Sequence, residues 1–244
     1  VKAWIAHVRA EVSMTLRRGE SLLLTVGIPA GLLTFFTLVN VTPVPRDVSR
    51  VNFLTPGVLA LAIVSTSLVS LSIATGFERS YGVLRRLWVT PFSRRALVTS
   101  KAAAVVLVEV IQVSLLALLG LALGWRPRGG LLAGFEVAGV AVLASVACAG
   151  IGLFLAGTLR AEINLAATNG LYLVLLLGSG LVLPLHSLPS AARGVAIATP
   201  AGALGDALHR VVGSGTPPTV ADLVSLVAWA VGAPLLAARA FRLD

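Results

Sequence analysis

The run Phe77-Glu78-Arg79-Ser80-Tyr81-Gly82-Val83-Leu84-Arg85-Arg86-Leu87-Trp88-Val89-Thr90-Pro91-Phe92-Ser93-Arg94-Arg95, continuing to Lys101, is the most charged segment of a chain that is 57% hydrophobic and 12% charged. Long apolar runs lie on both sides, so the segment reads as a water-facing loop between two membrane spans. As a helix it would put Val83, Leu84, Leu87 and Trp88 on one stripe and Arg79, Arg85 and Arg86 elsewhere, the pattern of a short amphipathic helix on a membrane surface. Pro91 lacks a backbone donor and disfavours helical geometry at Thr90, so that helix should stop there. Ser93 is placed to cap a new helix running through Lys101 into the next span.

Outward from this loop, composition sets the class. The 244 residues have a positive mean hydropathy, and their apolar content is that of an integral membrane protein with no sizeable soluble domain. The single cysteine, Cys148, sits in an apolar run and supports neither a disulfide framework nor a cysteine metal site. The net charge of +9 is clustered beside apolar spans as anchoring charge, not laid out as a basic stripe interleaved with aromatics, so nucleic acid is not an expected partner. The three histidines, His7, His186 and His209, are too scattered for a metal site.

A span needs about 20 mainly apolar residues. Six segments qualify, at roughly 21–40, 54–76, 102–124, 131–157, 165–185 and 220–240. The fold class is therefore an all-α integral membrane protein, one transmembrane domain over 1–244. Residues 1–20 read as an interfacial helix rather than a secretory signal, with Trp4, Ile5, Val8 and Val12 on one face and Lys2, Arg9, Arg17 and Arg18 toward lipid headgroups. With the N-terminus inside, 13 lysines and arginines fall in inner segments and six in outer ones, which orients both termini to the cytoplasm of a cell (inner or plasma) membrane. Gly27 with Gly31, and Gly120 with Gly124, are four apart and are candidate sites of close helix packing.

Polar residues inside spans are costly in lipid and therefore informative. Glu109 and Gln112 lie one turn apart in the third span and form a candidate intramembrane polar site; the alternative is a carboxyl held by Lys101 or by a neighbouring helix. Arg160, Glu162 and Asn164 form a tight inner turn that is a possible second cytoplasmic contact. Between 184 and 212, Pro184, Pro189 and Pro200 break the chain into short helical pieces.

Glu78-Arg79, Gly82, Leu84, Leu87, Thr90-Pro91, Ser93-Arg94 and Lys101 together match an acidic-basic pair, a glycine, leucines, Thr-Pro, a small residue, a basic residue and a lysine. In this the loop resembles that between the second and third spans of type 2 ABC-transporter permeases, the membrane subunits of ATP-binding-cassette exporters of drugs, lipids and polysaccharides. That family usually has an acidic residue soon after the glycine, where this chain has Arg85 and Arg86. Leu188-Pro189 and Pro200 match the broken, partly re-entrant outer helices that follow the family's fifth span. The resemblance implies that residues 77–95 form a coupling helix in which Glu78, Arg79, Gly82, Leu84, Arg85, Arg86, Leu87, Thr90 and Pro91 contact an ATPase subunit. It also implies that ATP and magnesium bind on that partner chain, since the 244 residues carry no phosphate-loop motif. The implied assembly contains a second permease copy or a paralogue, and the cargo would be a hydrophobic drug, antibiotic or lipid.

Two other classes compete. A gradient-driven secondary transporter or channel would show an internal repeat and midplane ionisable residues, for which Glu109 is the one candidate. An intramembrane protease would need Ser179 and His186 to act together; they are seven apart, but Pro184 interrupts the helix between them. A non-transporting membrane anchor is the remaining possibility.

Overall fold

The computed structural model describes residues 2–17, 19–39, 49–83, 93–178 and 190–241, and the side chains of these apart from 19–24 and 190–192. Every regular element among them is helical. In chain order they are α1 (Lys2–Arg17), α2 (Gly19–Leu38), α3 (Arg50–Ser80), α4 (Arg94–Ala122), α5 (Gly130–Thr158), α6 (Ala161–Gly178), α7 (Ser190–Ala198), α8 (Pro200–Leu208) and α9 (Val220–Ala240). Five of these, α3, α4, α5, α6 and α9, are long and apolar enough to cross a membrane, and α2 contains a shorter apolar stretch over Thr25–Leu38. The protein is a multi-pass membrane protein.

The helix ends follow local chemistry. Ser93 caps α4, its hydroxyl accepting from Ala96 N at 3.1 Å, as the sequence suggests. Thr199 accepts from Gly202 N and Pro200 sits at the first helical position of α8, where its missing donor is not needed. Thr219 and Asp222 form a reciprocal capping box at the start of α9. Gly82, at φ +71°, ends α3 in the left-handed region that a side chain would strain.

Within α3 the backbone widens to a π-helical turn over Ser65–Ser70. Such a turn places an extra residue in the helix and changes the faces on either side of it. Gly152 of α5 packs on it; a Cβ there would stand 2.8 Å from the carbonyl oxygen of Leu68. Gly150 does the same for α9, where a Cβ would come within 2.5 Å of the Pro234 nitrogen. The α5–α9 pairing is the most extensive in the fold. Close approach is thus made by glycines of α5, whereas Gly27 and Gly31 face open space and Gly124 has a positive φ at the end of α4. Of the glycines singled out in the sequence, Gly120 alone packs tightly, against Thr55 and Trp125. Spacing marks where a helix can approach another, but the rotation of the helix decides whether it does.

The core runs through α3, α5 and the short helix α8, whose Ala201, Ala203, Leu204, Ala207 and Leu208 are fully buried. Within the region that the sequence marks as broken by prolines, α8 therefore supplies packing to the bundle. Pro200 is buried; Leu188, Pro189, Ser179 and His186 lie outside the described residues. Helix α6 begins at Ala161, four residues before the expected 165. Of the residues read from sequence as a tight inner turn, Arg160 precedes the helix, while Glu162 and Asn164 belong to its first turn, where an acidic side chain suits the positive end of the helix.

Candidate functional site

Two polar regions are built around α3 and α4. The first is at the end of the bundle where α3 stops and α4 starts. Lys101, 1% exposed, extends from α4 between two carboxylates, its Nζ donating to Glu11 Oε1 of α1 at 2.6 Å and to Glu78 Oε2 of α3 at 2.7 Å. A buried ammonium is expensive unless it is paired, and here three helices meet to pair it. The same face of α1 carries Trp4, whose Nε1 donates to Thr99 Oγ1 at 3.1 Å, and His7, whose Nδ1 lies 3.0 Å from Ser100 Oγ. Burial lowers the His7 pKa from its ordinary value, working against the raising effect of Glu11, and Lys101 adds to the lowering while Glu78 opposes it.

Beside this triad, Arg79 turns away to α5. Its two terminal nitrogens donate to the carbonyls of Ala156 at 2.7 Å and Leu159 at 2.6 Å. These belong to the last turn of α5 and the residue after it, where carbonyls lack intrahelical partners and the helix dipole is negative, so a guanidinium fits on both counts. The contact brings the end of α3 against the α5–α6 turn. Gly76, Arg79, Tyr81 and Gly82 on one side and Arg160 and Glu162 on the other line a polar cleft of about 480 Å³. Tyr81, 77% exposed, stacks on Phe77 with ring centres 6.0 Å apart. Glu162 lies in the first turn of α6, where its charge suits the positive end of the helix.

The second polar region is deeper in the bundle. Thr66, in the widened turn of α3, donates to Gln112 Oε1 at 2.9 Å, and Gln112 Nε2 donates to the carbonyl of Thr25 in α2 at 2.8 Å. Ser145 of α5 donates to Glu109 Oε2, and Glu109 Oε1 has no hydrogen-bond partner among the described residues. Glu109 is thus held by a neighbouring helix, while Lys101 is committed to Glu11 and Glu78. Asn164 and Ser72 exchange hydrogen bonds at 2.9 Å each, with Thr168 joined to both, tying α6 to α3.

The residues named from sequence divide as follows. Glu78, Arg79, Gly82, Arg160 and Glu162 are brought to one end of the bundle. Glu109 and Gln112, buried on adjacent turns of α4, contact different helices. Leu84, Arg85, Arg86, Leu87, Thr90 and Pro91 lie outside the described residues. Glu11, Lys101 as the centre of a triad, and Tyr81 are additions made by the fold; Glu11 and Lys101 are 90 residues apart, and no local pattern joins them. Among the described residues no group of His, Cys, Asp and Glu is arranged to hold a metal ion.

Among known families, the model described as "ABC-2 type transporter" matches residues 2–208 of the chain. No curated protein matches the chain.

Proposed function

The chain belongs to the ABC-2 type transporter family, and from that premise we propose that it is the membrane-spanning subunit of an ATP-driven exporter, worked by an ATPase on a separate chain and moving a hydrophobic substrate such as a drug, antibiotic or lipid outward. In this reading α1 is an interfacial helix, α2 is the first of six spans, both termini are cytoplasmic, and the loop between α3 and α4 is the coupling element. A second copy or a paralogue completes the pair of permeases that two ATPase domains require. The apolar faces of α6 and α9, with Val174, Leu177, Val224 and Val231 exposed, are surface for lipid or for that second subunit.

The observation that carries the reading is the cleft between Tyr81-Gly82 and Arg160-Glu162. Two segments 80 residues apart, each separately a candidate cytoplasmic contact by its sequence, lie side by side because Arg79 clamps the end of α5. A partner that presses on this cleft moves α3 and α5 together, and with them the helices packed on each. ATP-driven closure of two ATPase domains would supply that push, and the ATP and magnesium would be theirs.

The test is purification from native membranes in mild detergent, with identification of co-purifying chains and assay of magnesium-dependent ATP hydrolysis. Wild type is expected to bring down an ATPase chain; Gly82→Pro and Glu162→Arg are expected to lose it with the permease still folded. Absence of any ATPase under conditions that preserve other membrane complexes would overturn the reading in favour of a gradient-driven carrier, with Glu109 as its coupling residue.

A further inference from the structure

A cavity of about 410 Å³ lies between α1, α2, α3 and α4, and it joins the two polar regions described above. One end is formed by Glu11, Glu78 and Lys101. The wall between is apolar, with Leu71, Val105 and Val108, and the far end reaches Thr25 and Thr66, already bonded to Gln112. Along α4 the distance from Lys101 to Val108 is about 10 Å at the helical rise of 1.5 Å per residue. The volume falls in the range of small-molecule sites, and the lining has their composition, mostly apolar with a few convergent polar groups.

The charge at the polar end is unbalanced. Two carboxylates face one ammonium; the His7 imidazole also lies against Glu11, its Nε2 3.6 Å from Oε1, but burial keeps it toward its neutral form. Lys101 occupies Oε1 of Glu11 and Oε2 of Glu78, and the second oxygen of each accepts no hydrogen bond from the described residues; both side chains are partly exposed, so these oxygens are open to water or to a ligand. A carboxylate with an open oxygen beside an apolar cavity is matched best by a second cationic donor. An anionic head would meet a net negative end, and a neutral head would leave that charge unmatched.

We propose that this cavity is a binding site for an amphiphile bearing a protonated amine, with the ammonium on Glu11 and Glu78 and the apolar chain along Leu71, Val105 and Val108. With α1 as the interfacial helix of the exporter reading, the site would lie at the level where a membrane-dissolved molecule has its head at the interface and its tail in hydrocarbon. Its role as a loading site for exported cargo rests on the exporter reading; binding itself does not.

The experiment uses the full chain in phosphatidylcholine nanodiscs and a photoreactive dodecylammonium probe, with labelled peptides mapped by mass spectrometry. Labelling is expected in α1 and α4 at the cavity, displaced by excess dodecylammonium and not by dodecanol. Glu11→Gln/Glu78→Gln should reduce it about tenfold, the effect of one charge-assisted contact of about 1.4 kcal/mol. Ala74→Trp, which fills the cavity from an exposed position and leaves the triad intact, should reduce it as much and remains informative if the double variant does not fold. Labelling spread over lipid-facing helices, equal displacement by dodecanol, or labelling unchanged in Ala74→Trp would overturn the proposal. In discs containing phosphatidylethanolamine, displacement of the probe would identify the amine as a leaflet lipid's, and retained labelling would identify it as a solute's. None of these readouts needs an ATPase, so failure here and failure of the exporter reading are distinguishable.

Discussion

The two ends of the bundle are held by different chemistry. At the Lys101 end, α1, α3 and α4 meet through a buried ammonium and two carboxylates, and α3 grips α5 through a guanidinium. At the opposite end, α8 is packed by alanines and leucines, and the turn that follows it bonds to its neighbours with no buried ion pair among the described residues: the His209 side chain places Nε2 3.2 Å from the Phe53 carbonyl of α3, and Arg128 N, between α4 and α5, donates to the Val212 carbonyl at 3.1 Å. Packed apolar contacts give an interface one preferred register. A charged junction can be reset by moving or neutralising a charge, which suits the end where a partner would act.

The largest expected break is Lys101→Met. It leaves Glu11 and Glu78 facing each other without a cation, and removing one partner of a buried ion pair typically costs about 3–5 kcal/mol. Thermal unfolding in nanodiscs should show the loss, and hydrogen exchange should show α1 released from α4 first. If α1 stays protected, apolar packing and not charge joins it to the bundle.

Gly202→Ala sharpens the other side of the comparison. The added Cβ would run into the carbonyl of Ala196 at the α7–α8 turn, and overpacking of this kind costs about 1–3 kcal/mol. The loss should appear as faster exchange in α8 with α1 protection unchanged. An equal effect at both ends would mean that they are not independent.

Arg210→Ala separates an ion pair from a buried ion pair. Arg210 Nε lies 2.6 Å from Asp206 Oδ2, but the arginine is 43% exposed, and solvent screening limits such pairs to about 0–1 kcal/mol. A midpoint close to wild type is expected. A loss comparable with that of Lys101→Met would show that burial is not what gives the triad its weight.

The smallest effect is that of pH on α1. The His7 pKa is lowered in the folded state, chiefly by burial, against Glu11 and Glu78, which raise it, and Lys101, which lowers it. The released helix therefore binds more protons between the lowered pKa and the ordinary value near 6.5, so docking strengthens as pH rises through that window and levels off above it. Exchange protection of α1 measured from pH 5 to 8 should follow this curve and flatten in His7→Gln. A fall in protection with rising pH would reverse the assignment.

Much of the fold is legible in single stretches of the chain. Apolar runs long enough to cross hydrocarbon give α3, α4, α5 and α9, because the cost of placing polar groups in lipid acts on each segment separately. The caps Ser93 and Thr199 and the start of α8 at Pro200 are likewise local, set within one helical turn. What tertiary structure alone decided is which polar groups found each other. Glu78 and Arg79, adjacent in the last turn of α3, part company: Glu78 turns to Lys101, which Glu11 also pairs, while Arg79 turns to Ala156 and Leu159. The choice depends on the rotation and crossing of helices 23 to 90 residues apart, which no window of sequence contains. The same holds for Gly150 and Gly152, whose roles depend on where Pro234 and the widened turn of α3 come to lie. Segment hydrophobicity determines that helices form and enter a membrane; their mutual packing determines where charge is buried, and so where a partner or a ligand can act.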